Sequence, residues 1–430
     1  MVQNLNIVLA GLGTVGSATI KLIERNKKLF LRKSNLRINI LGIFAKNKFK
    51  KRNFKKNKYV WFNDPIKMIK QNKVDVVVEL IGGEKGIAKK ICYEALKNKK
   101  NLVTANKSLL AHEGFKLAKL AEENNVKLGY EASVAGGIPI ISTLKTNFKG
   151  IKINKITGIL NGTSNYILTN MLEEKNEFSL SLNKAQKLGY AEKQPKNDLN
   201  GLDTLHKIII LSTIAFNKYV DVKNVTYSGI EFLTKLDVIF ADRLGYKIKL
   251  LGITFLEKNK VRLLVSPFLI SKKKELSNVS NNLNAIIIDA HKSNNTILIG
   301  EGAGGDPTSL SVLSDLINIS NRNENEFMYG TRLRNIKKID VSSDFLGKQF
   351  YFLRAKIYDK PGAIAAITTI LKNYKISIKS LFQKQINSKL FNIVILTHKT
   401  TKDAIELAYT KINKCNFLKD KAIIMQVLHV

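Results

Sequence analysis

Short apolar runs alternate with longer amphipathic stretches over the first 130 residues of the chain. Residues 6–10 (NIVLA) form an apolar run that ends on glycine and reads as a buried strand. A helix is expected over 17–28, a second strand over 37–44 (RINILGIF) and a third over 74–81 (VDVVVELI). Residues 101–104 (NLVT) and 127–130 (KLGY) add further short strands, with helical stretches between them. Strands alternating with helices predict a parallel sheet covered on both faces. From about 131 to 304 the pattern mixes helices such as 202–216 with strands such as 155–160 and 260–267. The tail reads as strand 350–358, helix 362–373, strands 376–385 and 390–398, helix 402–414 and strand 422–430. That βαββαβ order is a compact ferredoxin-like unit, and it is expected to stand apart from the rest. The fold class is therefore α/β with a Rossmann-type parallel-sheet domain, an α+β domain and a ferredoxin-like tail.

Composition narrows the picture. At 430 residues the chain is too long for one core and suits two or three domains. Its most apolar run, 208–216, is far shorter than the ~20 residues that cross a bilayer. The N-terminus runs directly into a strand pattern, with no signal-peptide signature. Two distant cysteines and five scattered histidines fit a reducing cytoplasm and no structural metal. The net charge of +37 raises the question of nucleic acid. Of the 71 basic residues only ten are Arg, whereas nucleic-acid surfaces favour Arg forks beside Lys. The Lys excess accompanies Asn and Ile along the whole chain, so it reads as compositional background; no nucleic-acid or membrane partner is expected.

Candidate chemistry begins at Gly11-Leu12-Gly13-Thr14-Val15-Gly16, a G-x-G-x-x-G directly between a strand and a helix. The first glycine makes the turn, the second lets backbone approach a pyrophosphate, and the third lets helix and strand pack. After the second strand an NAD site usually carries an acid for the ribose hydroxyls. Here the chain reads Phe44-Ala45-Lys46-Asn47-Lys48. The missing acid favours NADP over NAD, with Lys46 and Lys48 facing a 2′-phosphate and the rest of the basic cluster simply solvated. Thr104-Ala105-Asn106-Lys107 follows another strand, where open α/β sheets bind ligand; Lys107 there either holds a carbonyl oxygen or phosphate, or is a surface residue. Residues 130–140 (YEASVAGGIPI) set Glu131 beside paired glycines whose carbonyls can turn inward. This suits a monovalent cation, and equally a glycine-rich crossover. Residues 161–166 (NGTSNY) open a helix with ordinary turn residues.

The richest segment is 188–207 (LGYAEKQPKNDLNGLDTLHK). It holds Glu192, Asp198 and Asp203, and Lys207 closes it ahead of an apolar helical run. Asp203 and Lys207, four apart, share a helical face. Such pairs are usually surface ion pairs, but this one precedes IIILSTIAF. A dehydrogenase needs a cation or acid to protonate a forming alkoxide and carboxylates to grip an amino group, and this segment carries both.

Taken in order, GLGTVG, TANK, YEASVAGGIPI, GILNGTSNYIL, LGYAE…D…GLD…K and Gly302-Ala303-Gly304 with Pro307-Thr308 resemble homoserine dehydrogenase over nearly the whole chain. The tail resembles an ACT regulatory domain. The resemblance implies a nucleotide-binding domain over 1–130 with 305–345 returning to it, a catalytic and dimerisation domain over 131–304, and an ACT domain over 349–430. It implies NADPH-dependent reduction of L-aspartate 4-semialdehyde to L-homoserine in threonine and methionine synthesis. The glycine-rich loop with Thr14 and Val15, and Thr104, Gly189 and Gly304, are expected at the cofactor. Lys107 is expected near nicotinamide and substrate. Glu131, Val134, Gly136 and Ile138 match a sodium site, Glu192 and Asp203 with Asp198 the substrate ligands, and Lys207 the proton donor. Asp359, Pro361 and Gly362 mark the turn at which a threonine effector is expected, with Gln383 adding a polar contact. Such domains pair edge to edge, so a homodimer or homotetramer is expected. Lys193-Gln194 and Thr204-Leu205 depart from the family's pattern and put the local geometry of the substrate loop in question. The rival classes are a nucleic-acid binder and an effector-binding protein with an inert nucleotide half. The first shows few basic–aromatic clusters and no helix-turn-helix signature, and intact Glu192, Asp203 and Lys207 count against the second.

Overall fold

The structure, a computed structural model, describes residues 2–52, 54–257, 260–290, 295–321, 327–342 and 347–428. A first sheet holds five parallel strands: β1 (Gln3–Ala10), β2 (Leu36–Phe44), β3 (Val76–Glu79), β4 (Asn101–Thr104) and β5 (Leu128–Gly129). Their spatial order is 2-1-3-4-5, so the winding reverses between β1 and β3 and opens a crevice at the carboxyl ends of those strands. β3 is buried at every residue, as expected of a strand covered on both faces. Ile7 and Leu9 face a cluster with Ile20 and Ile23, while Val8 and Ala10 face another with Ile91 and Leu110.

The helix expected over 17–28 runs over Thr14–Ser34. It begins straight after Gly13 and stops at Asn35, whose left-handed backbone (φ 49°) lets its N–H cap the Phe30 carbonyl. A second helix, Gly305–Ser320, crosses it: Val312, Leu316 and Ile319 share a cluster with Ile7, Ile20 and Ile23. The chain therefore returns to the first sheet after leaving it. The end of the expected 305–345 segment, 343–345, lies outside the described residues.

The second sheet contains β6 (Ile153–Ile159), β8 (Tyr246–Glu257), β9 (Lys260–Ser271), β10 (Leu283–Ala290) and β11 (Thr296–Glu301). β7 (Lys218–Tyr219) and β12 (Lys337–Lys338) form a separate small ribbon, and β13 (Val341–Ser342) lies beside β9. The helix Leu202–Phe216 packs on this sheet. All of it but Leu202 and Ala215 is buried, which is why its apolar residues run all the way round.

The tail has strands β14 (Tyr351–Tyr358), β15 (Ile378–Asn387), β16 (Leu390–Thr397) and β17 (Ile423–Leu428), with helices Ala363–Asn373 and Lys402–Ile412. The closing strand was expected to reach 430; 429 and 430 lie outside the described residues. The expectation that this unit stands apart is corrected by its sheet. Residues 426–428 of β17 pair in parallel with 268–270 of β9, giving one ten-stranded sheet in the order 11-10-6-8-9-17-14-16-15 with β13 beside β9. A second bond reinforces the join. Arg354 of β14 donates to Asp237 through Nε (2.5 Å) and Nη2 (3.0 Å), and Asp237 is fully buried in the helix Lys235–Arg243. Sequence spacing carries no trace of this pairing, because the partners are 117 residues apart.

One buried lysine in this frame lies away from the crevice. Lys249 of β8 donates to Asn165 Oδ1 (2.9 Å) and the Val279 carbonyl (2.6 Å), and burial pushes its ammonium down from 10.5 to about 7. A lowered amine adds stability that is complete above its unfolded value and is lost as pH falls toward its folded value. Wild type should therefore gain stability relative to Lys249→Met between pH 7 and 10, by up to about 1.4 kcal/mol per pH unit. Urea denaturation across that range checks this; parallel curves for the two proteins would contradict it.

Candidate active site

The glycine-rich loop follows β1 and is shaped by contact. A Cβ at Gly11 (φ 103°) would meet the Leu80 carbonyl carbon at 2.4 Å, and one at Gly16 would meet the Gly11 oxygen at 1.9 Å. One at Gly13 would meet nothing within 4 Å. The first and third glycines thus close the turn against neighbouring backbone, and the second faces open space. Thr14 is exposed and Val15 half-buried on the first turn of the helix. Gly304, at φ 121°, opens the second helix, and a Cβ on the next residue, Gly305, would lie 3.2 Å from Thr14 Cγ2. Two helix N-termini therefore converge on one groove, an arrangement that suits anionic phosphates. The groove, about 460 Å³, is lined by Leu12, Gly13, Ser17, Lys50, Arg52 and Asp306 among others.

Sequence reasoning chose Lys46 and Lys48 here and left the rest of the cluster as solvent-facing. Both lysines are exposed. Arg52 is the basic residue tied to the loop: its Nε donates to the Leu12 carbonyl (3.3 Å), its Nη2 to Asn47 (2.6 Å), and its guanidinium lies 5.4 Å from the Trp61 ring. The available signal was its identity, a lone Arg within a Lys run. Thr104 is turned inward. Its hydroxyl donates to the fully buried Glu79 (2.6 Å), whose other oxygen accepts the N–H groups of Ile81 (2.7 Å) and Gly82 (2.9 Å). Thr104 thus fixes the crevice wall, and its side chain is committed there rather than to a ligand. Glu79 ends a strand pattern that gives no hint of this use.

Beside the crevice stands a buried cluster of charge. Asp203 receives Lys107 Nζ on Oδ1 (2.9 Å) and Lys207 Nζ on Oδ2 (2.8 Å). Lys207 also donates to the Leu160 carbonyl (2.6 Å). Asn161 Nδ2 bridges Asp203 Oδ2 (2.9 Å) and Asp198 Oδ1 (2.8 Å), while its Oδ1 caps its own helix by accepting the Ser164 N–H (2.8 Å). Burial pushes the Asp203 carboxyl up, but Lys107 and Lys207 together hold it far below the usual range. Burial and the Asp203 charge raise Asp198. Lys207, buried, is lowered by desolvation and by the Lys107 charge, against the pull of Asp203. Lys107, 42% exposed, is raised chiefly by Asp203. Behind the pair His206 meets His112 with ring centroids 5.1 Å apart; burial and His112 lower His206 to about 4, so it is neutral near pH 7.

The cluster thus brings together Lys107, Asp198, Asp203 and Lys207 from the expected set. Asn161 joins them unforeseen, since an Asn ahead of a helix reads as a cap. Glu192 lies on an exposed loop and adds to the field on Lys107. Gly189 sits on the exposed left-handed turn after the helix Phe178–Lys187. Chemically, the site offers a buried amine with a lowered pKa beside a fixed cation and carboxylates.

Glu131 is buried in the crossover to the second sheet. Its oxygens accept the N–H groups of Ile141 (2.8 Å) and Ser142 (2.7 Å), and burial raises its carboxyl. Ala135 and Gly136 have left-handed backbone, and the Gly136 carbonyl accepts Ser311 Oγ. Val134 and Ile138 are buried beside them. Among the described residues no group of three or more His, Cys, Asp or Glu side chains is placed to hold a metal. No described helix is long and apolar enough to cross a membrane.

Comparison with known proteins adds three findings. The family model described as "Homoserine dehydrogenase, NAD binding domain" matches residues 11–131, and "Homoserine dehydrogenase" matches 139–317. The homoserine dehydrogenases of Bacillus subtilis (36% identical over 404 residues, 92% of each chain) and Neisseria gonorrhoeae (37% over 413 residues, 95% of this chain and 94% of that one) are similar throughout. The crystal structure of a homoserine dehydrogenase from Thiobacillus denitrificans superposes with a TM-score of 0.89 at 32% identity, covering 99% of this chain and 98% of that one.

The Asn161 bridge is open to a direct test. Asn161→Ala should cost roughly 2–3 kcal/mol, from the lost bonds to charged groups and the lost cap. Asn161→Asp keeps the cap acceptor but sets a third carboxylate among two, so at pH 8 it should cost more. Protonation restores a donor, so its deficit should shrink as pH falls toward 5. Denaturant titrations at both pH values measure this; a deficit independent of pH would show that the bridge does not matter.

Proposed function

Because the chain belongs to the homoserine dehydrogenase family of NAD(P)-dependent oxidoreductases, we propose that it reduces L-aspartate 4-semialdehyde to L-homoserine with NADPH, serving threonine and methionine synthesis in the cytoplasm. The observation that carries this reading is the buried Lys107–Asp203–Lys207 cluster beside a nucleotide crevice. Bound nicotinamide supplies the hydride. Glu192, Asp198 and Asp203 draw the substrate ammonium. Lys107, kept charged by Asp203, polarises the aldehyde oxygen, and Lys207 protonates the alkoxide as it forms. Burial readies Lys207 for this, since a lowered pKa brings a donor closer to the working pH. The neutral amine left behind keeps its bond to the Leu160 carbonyl, and solvent returns the proton.

The cofactor groove fits a dinucleotide through Gly11, Gly13, Thr14, Val15, Gly16 and Gly304: Gly11 and Gly16 close the turn, and Gly13 leaves open space for a phosphate. The absent acid after β2, with Arg52 anchored on the loop, supports NADP over NAD. A monovalent cation, sodium, fits the Glu131 turn: each carboxylate oxygen retains lone pairs beyond its backbone bond, and Val134, Gly136 and Ile138 contribute carbonyls. The tail is read as an ACT domain sensing L-threonine at Asp359, Pro361 and Gly362. Gly362 there adopts left-handed backbone ahead of the helix Ala363–Asn373. β15, mostly exposed at the sheet edge, supports pairing of two or more subunits.

Homoserine oxidation should proceed with NADP and more weakly with NAD. Lys207→Ala should lower kcat by roughly 100-fold or more, as loss of a positioned acid does. Turnover near that of wild type would remove Lys207 from the mechanism. In the same assay sodium should stimulate wild type but not Glu131→Ala, and threonine should inhibit; a flat response to either removes that part of the reading.

Arg52→Ala should raise KM for NADP by roughly 10-fold or more while leaving NAD within about twofold, because only NADP carries a 2′-phosphate for the guanidinium to hold. Equal effects on the two cofactors would place Arg52 in a purely structural role.

A further inference from the structure

Glu79 ends β3 with no exposed surface, at the carboxyl edge where the winding of the first sheet reverses. Its oxygens face donors on every side. Oε1 accepts the N–H groups of Ile81 (2.7 Å) and Gly82 (2.9 Å). Oε2 accepts the Thr104 hydroxyl (2.6 Å) and, more weakly, the Cys92 thiol (3.9 Å). That set suits the ionised carboxylate, which accepts and never donates. None of the four donors is a cation, and among the described residues Glu79 has no ion-pair partner. The donors replace water around the carboxylate; they do not cancel its charge. Lys107 and Lys207 are both spent on Asp203.

The bonds of Glu79 reach both walls of the crevice. On one side Gly11 lies against the backbone that Glu79 holds: a Cβ at Gly11 would meet Ile81 N at 2.6 Å. On the other side the Thr104 oxygen accepts the Asn106 N–H (3.0 Å). Asn106 Nδ2 donates to the Gly83 carbonyl (2.7 Å), and its Oδ1 caps the helix that opens with Lys107 by accepting the Leu109 N–H (3.1 Å). Gly82 and Gly83 are exposed and left-handed (φ 83° and 89°), and a Cβ at either would meet nothing within 4 Å. The carboxylate is therefore buried under open backbone, between the phosphate turn and Lys107.

We propose that Glu79 is a fixed counter-charge to the oxidised nicotinamide ring, so that the crevice favours the oxidised cofactor relative to the reduced one. The proposal rests on the dehydrogenase reading. Transfer of a hydride from the dihydronicotinamide ring to the aldehyde carbon turns a neutral ring into a pyridinium cation, while the proton from Lys207 neutralises the alkoxide. The cation thus forms in a crevice whose floor holds a carboxylate that no other cation answers. Burial keeps water from screening that carboxylate, and four donors hold it in place, so its field needs no rearrangement at the moment of transfer. Glu79 does not touch the ring; it acts as a positioning residue, through its field and through the backbone of Ile81 and Gly82. A carboxylate that only shaped this backbone would serve both redox states of the cofactor equally.

Binding to the full chain without substrate separates the two roles. Glu79→Gln keeps the size of the side chain and the Oε1 acceptor but removes the charge. Calorimetry should show NADP⁺ binding weakened by roughly 5-fold or more, since a buried charge acts through a dielectric well below that of water. NADPH binding, read from the cofactor's fluorescence, should stay within about twofold. Equal weakening of both dinucleotides, or no change in either, would overturn the proposal and leave the dehydrogenase reading standing. Failure of the wild type to bind either dinucleotide would overturn both. If Glu79→Gln does not fold, Cys92 reports the same field with Glu79 intact. Cys415→Ala leaves Cys92 as the single thiol, and its S–H stretch, read by infrared spectroscopy, responds to the carboxylate that accepts its hydrogen. That band should differ between the NADP⁺ and NADPH complexes; one band position in both would overturn the proposal.

Discussion

Asp203 is the constraint on which the rest depends. Its carboxylate is almost wholly buried, and a lone buried charge is too costly to persist. It persists because Lys107 arrives from the first sheet's crevice, Lys207 comes from one turn along its own helix, and Asn161 caps the gap toward Asp198. Two cations and two carboxylates then balance within a few ångströms. Removing any one of them leaves a buried charge uncompensated, which is why the cluster is fixed in composition as well as position. The same balance sets the proton affinities apart: Lys107 is raised and Lys207 lowered, although both touch one carboxylate. Neighbouring charge decides the difference: Asp203, with Asp198 and Glu192, outweighs desolvation at Lys107, whereas desolvation and the Lys107 charge outweigh Asp203 at Lys207.

Backbone contacts then hold the nucleotide groove against that cluster. A Cβ on Gly136 would lie 2.8 Å from the Gly302 oxygen, and one on Gly137 would lie 2.8 Å from Pro307 Cβ. The crossover that leaves the first sheet and the loop that returns to it therefore touch with no room for side chains. The glycines of 130–140, ambiguous between cation loop and crossover, have this second use whether or not an ion binds beside Glu131.

What the sequence makes legible follows the range of the interaction. The glycine-rich turn, the i,i+4 spacing of Asp203 and Lys207 and the βαββαβ order of the tail are all local, and each can be read directly. Periodicity also marks the helix Leu202–Phe216 as buried, and hence its ion pair. Contacts across long separations cannot be read this way. Asn161 reaches Asp198 and Asp203 over 37 and 42 residues, Thr104 turns inward because Glu79 lies on the neighbouring strand, and β17 docks on β9 across the whole tail. Element ends shifted for a related reason: Gly13 starts a helix three residues before its amphipathic pattern begins, because a glycine turn needs no side chain to cap it.

The docking of β17 on β9 also decides how the tail can influence the charged cluster. A tethered domain on a flexible linker shifts nothing unless its states differ in energy at the distant site. Here the tail shares a sheet with β9, and β9 borders β8, on which the helix carrying Asp203 and Lys207 packs: Gly252 of β8 approaches Thr204 and Ile208 of that helix so closely that a Cβ would lie 3.1 Å from each. The join is more than three paired residues and the Arg354–Asp237 bond. Phe352, Val394, Leu396, Met425 and Val427 of the tail are buried in the same apolar cluster as Leu233, Val238 and Phe240, and that cluster also holds Leu205 and Ile208 of the helix carrying Asp203 and Lys207. The tail's inner face is therefore part of the core that supports the charged cluster. A close-packed interior transmits strain, so moving the tail requires that core to repack.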